Sequence, residues 1–106
     1  MKINNINEMK GGWFIGDFQP AVLKTQDFEV AHHHHPAGWS PEKHYHKLAT
    51  EHNYVVSGRI SIDGNIIKTG DIFTYEPGDI ADLYCIEDTD IIVIKVPSII
   101  GDKYNA

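Results

Sequence analysis

The sequence predicts a small all-β protein, a sandwich or barrel of short strands. Three observations predict it. Apolar, β-branched segments recur at close spacing, separated by turns rich in Gly, Asp and Pro. Asp63-Gly64 lies between two of these segments, and a type I′ hairpin turn needs positive φ at both central positions. No stretch carries the apolar period of an amphipathic helix over a helix's usual length.

At 106 residues the chain suits one domain with one core, residues 1–106. Within it we expect an N-terminal arm (1–20), a barrel (21–97) and a C-terminal tail (98–106). Residues 1–10 are polar, with Ile3 and Ile6 as the only anchors before Met9. Gly11 to Gly16 reads as a short strand or an extended arm with glycine joints. Its Trp13 and Phe14 belong in the core or at a dimer interface, since an exposed Trp-Phe pair promotes aggregation. Pro20 ends that segment, and Val22-Leu23 begins a short element.

Phe28 to Ala31 leads into a strand that continues through His32–His35. Alternate side chains on a strand face opposite ways, so one pair of these histidines faces inward and the other outward. Further on, Tyr54–Ser57 is expected to pair with Arg59–Ile62 around Gly58, and Ile66-Ile67 returns after the Asp63-Gly64 turn. Ile72–Tyr75 and Leu83–Ile86 read as strands. Ile91 to Val96, an almost unbroken apolar run, reads as a strand buried on both faces or lying at an interface. Pro97 stops it. Ser98 to Ala106 is expected to form an exposed arm pinned by Ile99, Ile100 and Tyr104.

The chemistry concentrates between Gly38 and Gly58. His44 and His46 alternate about one residue, so both imidazoles project from the same strand face. A short turn after His46 would let the next strand bring Glu51 back beside them. Two neutral imidazoles and one carboxylate form a facial set for Fe(II), Mn(II) or a similar divalent ion, with coordination positions left open.

Gly38, His44, His46, Glu51 and Gly58 stand at the spacing of the first motif of the cupin superfamily, without gap or substitution. The chain therefore resembles a small single-domain cupin. The resemblance implies a double-stranded β-helix, or jelly-roll barrel, with a divalent metal (Fe, Mn, Zn or Ni) on His44, His46 and Glu51. Gly70 to Gly78 resembles the second motif, after which the family has a third metal-binding histidine. Its place here is taken by Ala81, which has no donor atom. Three readings follow. Asp82 could reach the metal through a slipped or bulged strand, with Glu76 and Asp79 more remote. The three ligands could be completed by water or substrate. Or the protein binds metal weakly, if at all, and serves as a ligand-binding or regulatory module.

On the first two readings the chain acts on a small polar ligand, and the resemblance implies a sugar, a sugar phosphate or a carboxylic acid. It likewise implies isomerisation, decarboxylation or oxygen insertion. Counted back through the cupin pattern, His33 and His35 are the pair expected to point inward, an assignment that a bulge at Pro36 would reverse. They would then line the pocket as acid–base or hydrogen-bonding groups; the alternative is a polar strand with histidines on both faces. Trp39 belongs at the pocket mouth or over the core. Lys43 and Arg59 are candidates to hold an anionic ligand, or plain surface charges.

Composition narrows the partners. A formal charge of −6 with no concentration of Lys or Arg argues against nucleic acid. No apolar run is long enough for a membrane helix, and residues 1–10 lack the apolar segment of a secretion signal, so a cytoplasmic location is expected. The lone Cys85 excludes an internal disulfide and reads as an inert core thiol. A homodimer is expected, joined through the aromatic N-terminal segment and the edge of the Ile91–Val96 strand.

Overall fold

A computed structural model describes residues 1–106, which form eleven strands and one short 3-10 turn. The first five strands are β1 (Trp13–Gly16), β2 (Leu23–Lys24), β3 (Glu29–His35), β4 (His44–Tyr45) and β5 (Thr50–Ser57). They are followed by β6 (Arg59–Ile62), β7 (Asn65–Lys68), β8 (Ile72–Tyr75), β9 (Leu83–Cys85), β10 (Thr89–Val96) and β11 (Tyr104–Asn105). One wall is a six-stranded sheet in the order β2-β1-β3-β10-β5-β8. The other is assembled from β7-β6-β9 and the β11-β4 pair. A bridge between His44 and Ala81 links these two pieces, and the Cys85 N–H donates to the Trp39 carbonyl at 2.9 Å. The result is a double-stranded β-helix.

Alternation along the long strands decides what each wall buries. Ala31, Val55, Ile91 and Val93 face inward from the large sheet and meet Ile60, Leu83 and Cys85 from the smaller one. That cluster fills one end of the barrel. The opposite faces of the same strands carry Tyr54, Ile72 and Ile94, which are exposed. So β10 is buried on one face only, and its outward apolar residues stay half-open to solvent.

The turn at Asp63-Gly64 forms as expected, with φ of 47° and 80°, and joins β6 to β7. Gly58 does not close a hairpin. β5 pairs with β10 and β8, whereas β6 pairs with β7 and β9. A single residue is too short a loop for an antiparallel turn; Gly58 is instead the corner at which the chain changes walls. Its φ is 112°, and a Cβ there would come within 2.6 Å of the Asp88 carbonyl oxygen. Glycine is the residue that fits.

Of the expected tail anchors Tyr104 holds and Ile100 is exposed, and polar contacts add to the fastening. Ser98 N–H donates to the Gln26 carbonyl, and β11 adds to β4 with Tyr104 stacked on Tyr45. Asp102, only 6% exposed, is the main fastening. Its carboxylate accepts the backbone N–H groups of Lys47, Leu48 and Ala49 at 2.9, 3.1 and 2.9 Å, which fixes the turn between β4 and β5.

Burial would push the Asp102 carboxyl up, but those N–H donors outweigh it and hold it below the usual carboxylate range. Its stabilisation is therefore present above the ordinary carboxylate pKa and is lost as pH falls through the depressed value. Asp102→Ala leaves three N–H groups without their acceptor and should cost about 2–4 kcal/mol in urea unfolding at neutral pH. The gap between variant and parent should narrow as pH falls below the ordinary carboxylate range and through the depressed value.

Candidate functional site

A cavity of about 310 Å³ opens beside the core, between the two walls. His44, His46 and Glu51 all line it, as do His33 and His35. Strand alternation places them there. Glu51 and Asn53 project inward on β5 ahead of Val55, and His33 and His35 project inward on β3 after Ala31. His32 and His34 face outward instead and share Asp90 Oδ1, at 2.9 and 3.1 Å. Pro36 introduces no reversal.

The two motif histidines are held in the same tautomer. His44 Nδ1 donates to the Glu42 carbonyl at 2.8 Å, and His46 Nδ1 donates to the carbonyl of Asp102. A ring that donates from Nδ1 leaves Nε2 as its lone-pair atom when neutral. His46 Nε2 is buried without a hydrogen-bond partner and lies 3.3 Å from Glu51 Oε1. The other carboxylate oxygen, Oε2, accepts from Asn53 Nδ2 at 3.0 Å. The facing carboxylate raises the His46 pKa against burial, and the Asp102 carbonyl adds to the rise. Burial would push Glu51 up, but the facing His46 imidazole and the hydrogen bond from Asn53 win and its pKa falls.

The His44 ring centre is 5.4 Å from that of His46, at 76° between planes. Although the three side chains share one cavity, no three His, Cys, Asp or Glu residues converge as a closed metal-binding cluster. The donor chemistry nevertheless fits a divalent ion: two orientated imidazoles, each with a carbonyl behind it, and a carboxylate. An orphaned Nε2 in a buried position is what such an ion would satisfy.

The second motif keeps its register. Ala81 sits directly across from His44 in the bridge, and its N–H donates to the His44 carbonyl at 2.8 Å. No slip turns Asp82 inward; it faces solvent and pairs with Lys43 at 3.5 Å. Glu76 and Asp79 are exposed, and they close their own turn through the Glu76 N–H and the Asp79 carboxylate. None of the three offers a fourth ligand. Lys43 and Arg59 are surface charges too, Arg59 beside Glu87 at 3.6 Å.

His35 stacks on Trp39 with ring centres 3.6 Å apart and planes 4° apart, and Trp13 meets His33 edge-on at 5.4 Å. Burial, with His33 and His34 nearby, drives His35 down to about 4. Burial also lowers His33, partly offset by the backbone of Gly11 and by Glu51. Both present neutral imidazoles at neutral pH.

Two lysines complete the wall, and sequence reasoning passed over both. Lys95 interrupts the apolar run of β10 and is the register partner of Glu51. Its Nζ lies 3.8 Å from Glu29 Oε1 and 4.9 Å from the centre of the Trp13 ring. A charge at an inward position of an otherwise apolar strand was the available signal. Lys103 enters from the tail, where no pattern announced it. Tyr75, across from Glu51 on β8, was likewise taken only as part of a strand.

No family model and no curated protein sequence matches the chain. Solved structures do. A cupin protein from Bacteroides fragilis is 30% identical, with a TM-score of 0.56 over 69% of this chain and 68% of that one. This chain belongs to the cupin superfamily. An uncharacterized conserved protein with a double-stranded β-helix domain from Klebsiella pneumoniae superposes over 99% of this cupin and 91% of its own length, at 22% identity and a TM-score of 0.72. The bacterial pirin YhhW from Escherichia coli, in complex with nickel(II), shares the fold at 15% identity and a TM-score of 0.65. The alignment covers 82% of this cupin and 39% of the pirin.

Lys95 also carries a structural duty. Burial raises the Glu29 carboxyl even with Lys95 beside it. Lys95→Met leaves that carboxylate buried and unpaired, and should cost about 2–4 kcal/mol in urea unfolding at neutral pH. The deficit should shrink as pH falls and Glu29 takes up a proton. The Lys95→Met, Glu29→Gln double variant should recover most of it.

Proposed function

We propose that this cupin is a metal-dependent protein acting on a small polar ligand, with His44, His46 and Glu51 as the metal ligands. The observation that carries the reading is the buried, unpartnered Nε2 of His46 facing Glu51, with its Nδ1 already committed to the Asp102 carbonyl. With Ala81 in place of a fourth donor, coordination positions remain for water or ligand. A divalent ion there supplies Lewis-acid polarisation of a ligand carbonyl or carboxyl group. The nickel bound by the pirin of the same fold supports the assignment.

The chain's own groups divide the remaining work. His33 and His35 stand across the cavity as neutral imidazoles fixed by Trp13 and Trp39. Of the two, His33 is the better proton acceptor, because His35 is driven down to about 4. Leu83, Ile91 and Val93 form an apolar side that limits water around the ligand. Such an arrangement serves isomerisation, decarboxylation or oxygen insertion on a sugar, sugar phosphate or carboxylic acid. The absence of a closed three-donor cluster favours a second reading, a non-catalytic ligand-binding cupin with weak metal affinity.

Elemental analysis separates them. Protein purified without chelator should carry close to one equivalent of Fe, Mn, Zn or Ni on the first reading, and His44→Ala should lose it while remaining folded by circular dichroism. Metal far below one equivalent, unchanged in the variant, supports the second. Because His46 gives up its raised-pKa proton on binding, affinity should strengthen as pH rises through the histidine range.

We propose further that the protein is a cytoplasmic homodimer. The basis differs from the expected one. β10 is paired on both sides, by β3 and β5, and has no free edge. What remains open is the outer face of the large sheet, where Ile72, Tyr54 and Ile92 lie in one cross-strand row and Ile94 beside it. Light scattering at tens of micromolar should give a dimer mass, and Ile72→Lys should shift it toward the monomer.

A further inference from the structure

Three residues of formal charge line the cavity, Lys95, Lys103 and Glu51. Lys95 lies 3.8 Å from the Glu29 carboxylate. Glu51 Oε2 accepts from Asn53, and its Oε1 faces His46 Nε2 at 3.3 Å. Lys103 makes no ion pair with any acidic group. The Tyr75 hydroxyl is buried and has no hydrogen-bond partner, the Asp82 backbone approaching its oxygen without closing a bond. A buried hydroxyl left so costs about 1–3 kcal/mol, and such a group calls for a partner that the chain does not supply. Beside the lone-pair nitrogens of the metal-motif histidines, the Lys103 ammonium and the Tyr75 hydroxyl are therefore donors without an acceptor, and an acceptor carrying negative charge would satisfy both.

We propose that the cavity takes a small monocarboxylate with an apolar body, its carboxylate held by Lys95 and Lys103 and hydrogen-bonded by the Tyr75 hydroxyl. Leu83, Ile91 and Val93 account for the apolar part, since a bare inorganic anion would leave them facing nothing. About 310 Å³ limits the ligand to a compact acid. This inference rests on the cavity being the ligand site proposed above, and it does not require the metal.

Trp13 and Trp39, the two tryptophans of the chain, both line the cavity, so intrinsic fluorescence reports its occupancy. The probes are isovalerate, its neutral amide isovaleramide, and inorganic phosphate, each titrated into chelator-treated and metal-loaded protein. Isovalerate should give a saturable change in both forms, isovaleramide and phosphate none. Lys103→Met should weaken isovalerate by about tenfold, the worth of one charge-assisted contact, and Lys103→Arg should restore most of it. Tyr75→Phe should weaken binding as well, yet unfold no more easily than the parent, because the hydroxyl it removes has no partner.

Equal affinity for the amide, preference for phosphate, an unchanged Lys103→Met, or no isovalerate signal in either form would each overturn the proposal. Lysine-dependent binding in a protein that takes up no metal would remove the metal reading and leave this one standing. Binding that needs metal and ignores Lys103 would do the reverse.

Discussion

The register between β5 and β10 is the constraint on which the cavity depends. It sets Glu51 opposite Lys95, Asn53 opposite Val93 and Val55 opposite Ile91, all on the inward face. Side chains alternate with a period of two, so a slip by one residue would turn that whole set outward and bring His52, Tyr54 and Ile94 into the barrel. Apolar burial at Val55, Ile91 and Val93 prevents the slip. The core thus positions the polar groups: packing at one end of the strands fixes which carboxylate and which ammonium face the cavity at the other.

Within the cavity, charge and burial are balanced locally. Each ionised group that leaves water has a stated companion: Lys95 for Glu29, His46 and Asn53 for Glu51, three backbone N–H groups for Asp102. His33 and His35 are handled differently, held neutral by their surroundings and braced against indoles. The exceptions to this balance are few, His46 Nε2 and the Tyr75 hydroxyl. In an otherwise satisfied interior, unsatisfied atoms mark where a ligand belongs.

Much of this was legible in the chain. The all-β class followed from turn chemistry and strand-like runs, and the first motif followed from spacing, because two histidines and a glutamate at those intervals have few other uses. Alternation divided the four histidines into two pairs, and the cupin pattern picked His33 and His35 as the inward one. What stayed hidden was long-range. Gly58 looked like a hairpin centre because sequence shows neighbours along the chain, while the corner it makes is defined by Asp88 and Thr89 some thirty positions away. Ile91–Val96 read equally as buried on both faces or as lying at an interface, because apolar content says nothing about which neighbours a strand acquires; within one chain it is buried on one face only. Asp102 and Lys103 carried no signal at all, since a tail becomes a wall only through contacts with β4.

That tail has a consequence for how the protein assembles. His46 finds the acceptor for its Nδ1 proton 56 positions further along the polypeptide. Contacts of such high sequence separation form late in folding, after the chain between them has been ordered. The β6–β7 hairpin can condense first, with the imidazole still free to rotate and sample both tautomers. The competent tautomer is then selected together with the equally long-range β3–β10 pairing that closes the barrel, so shell and centre mature in one step.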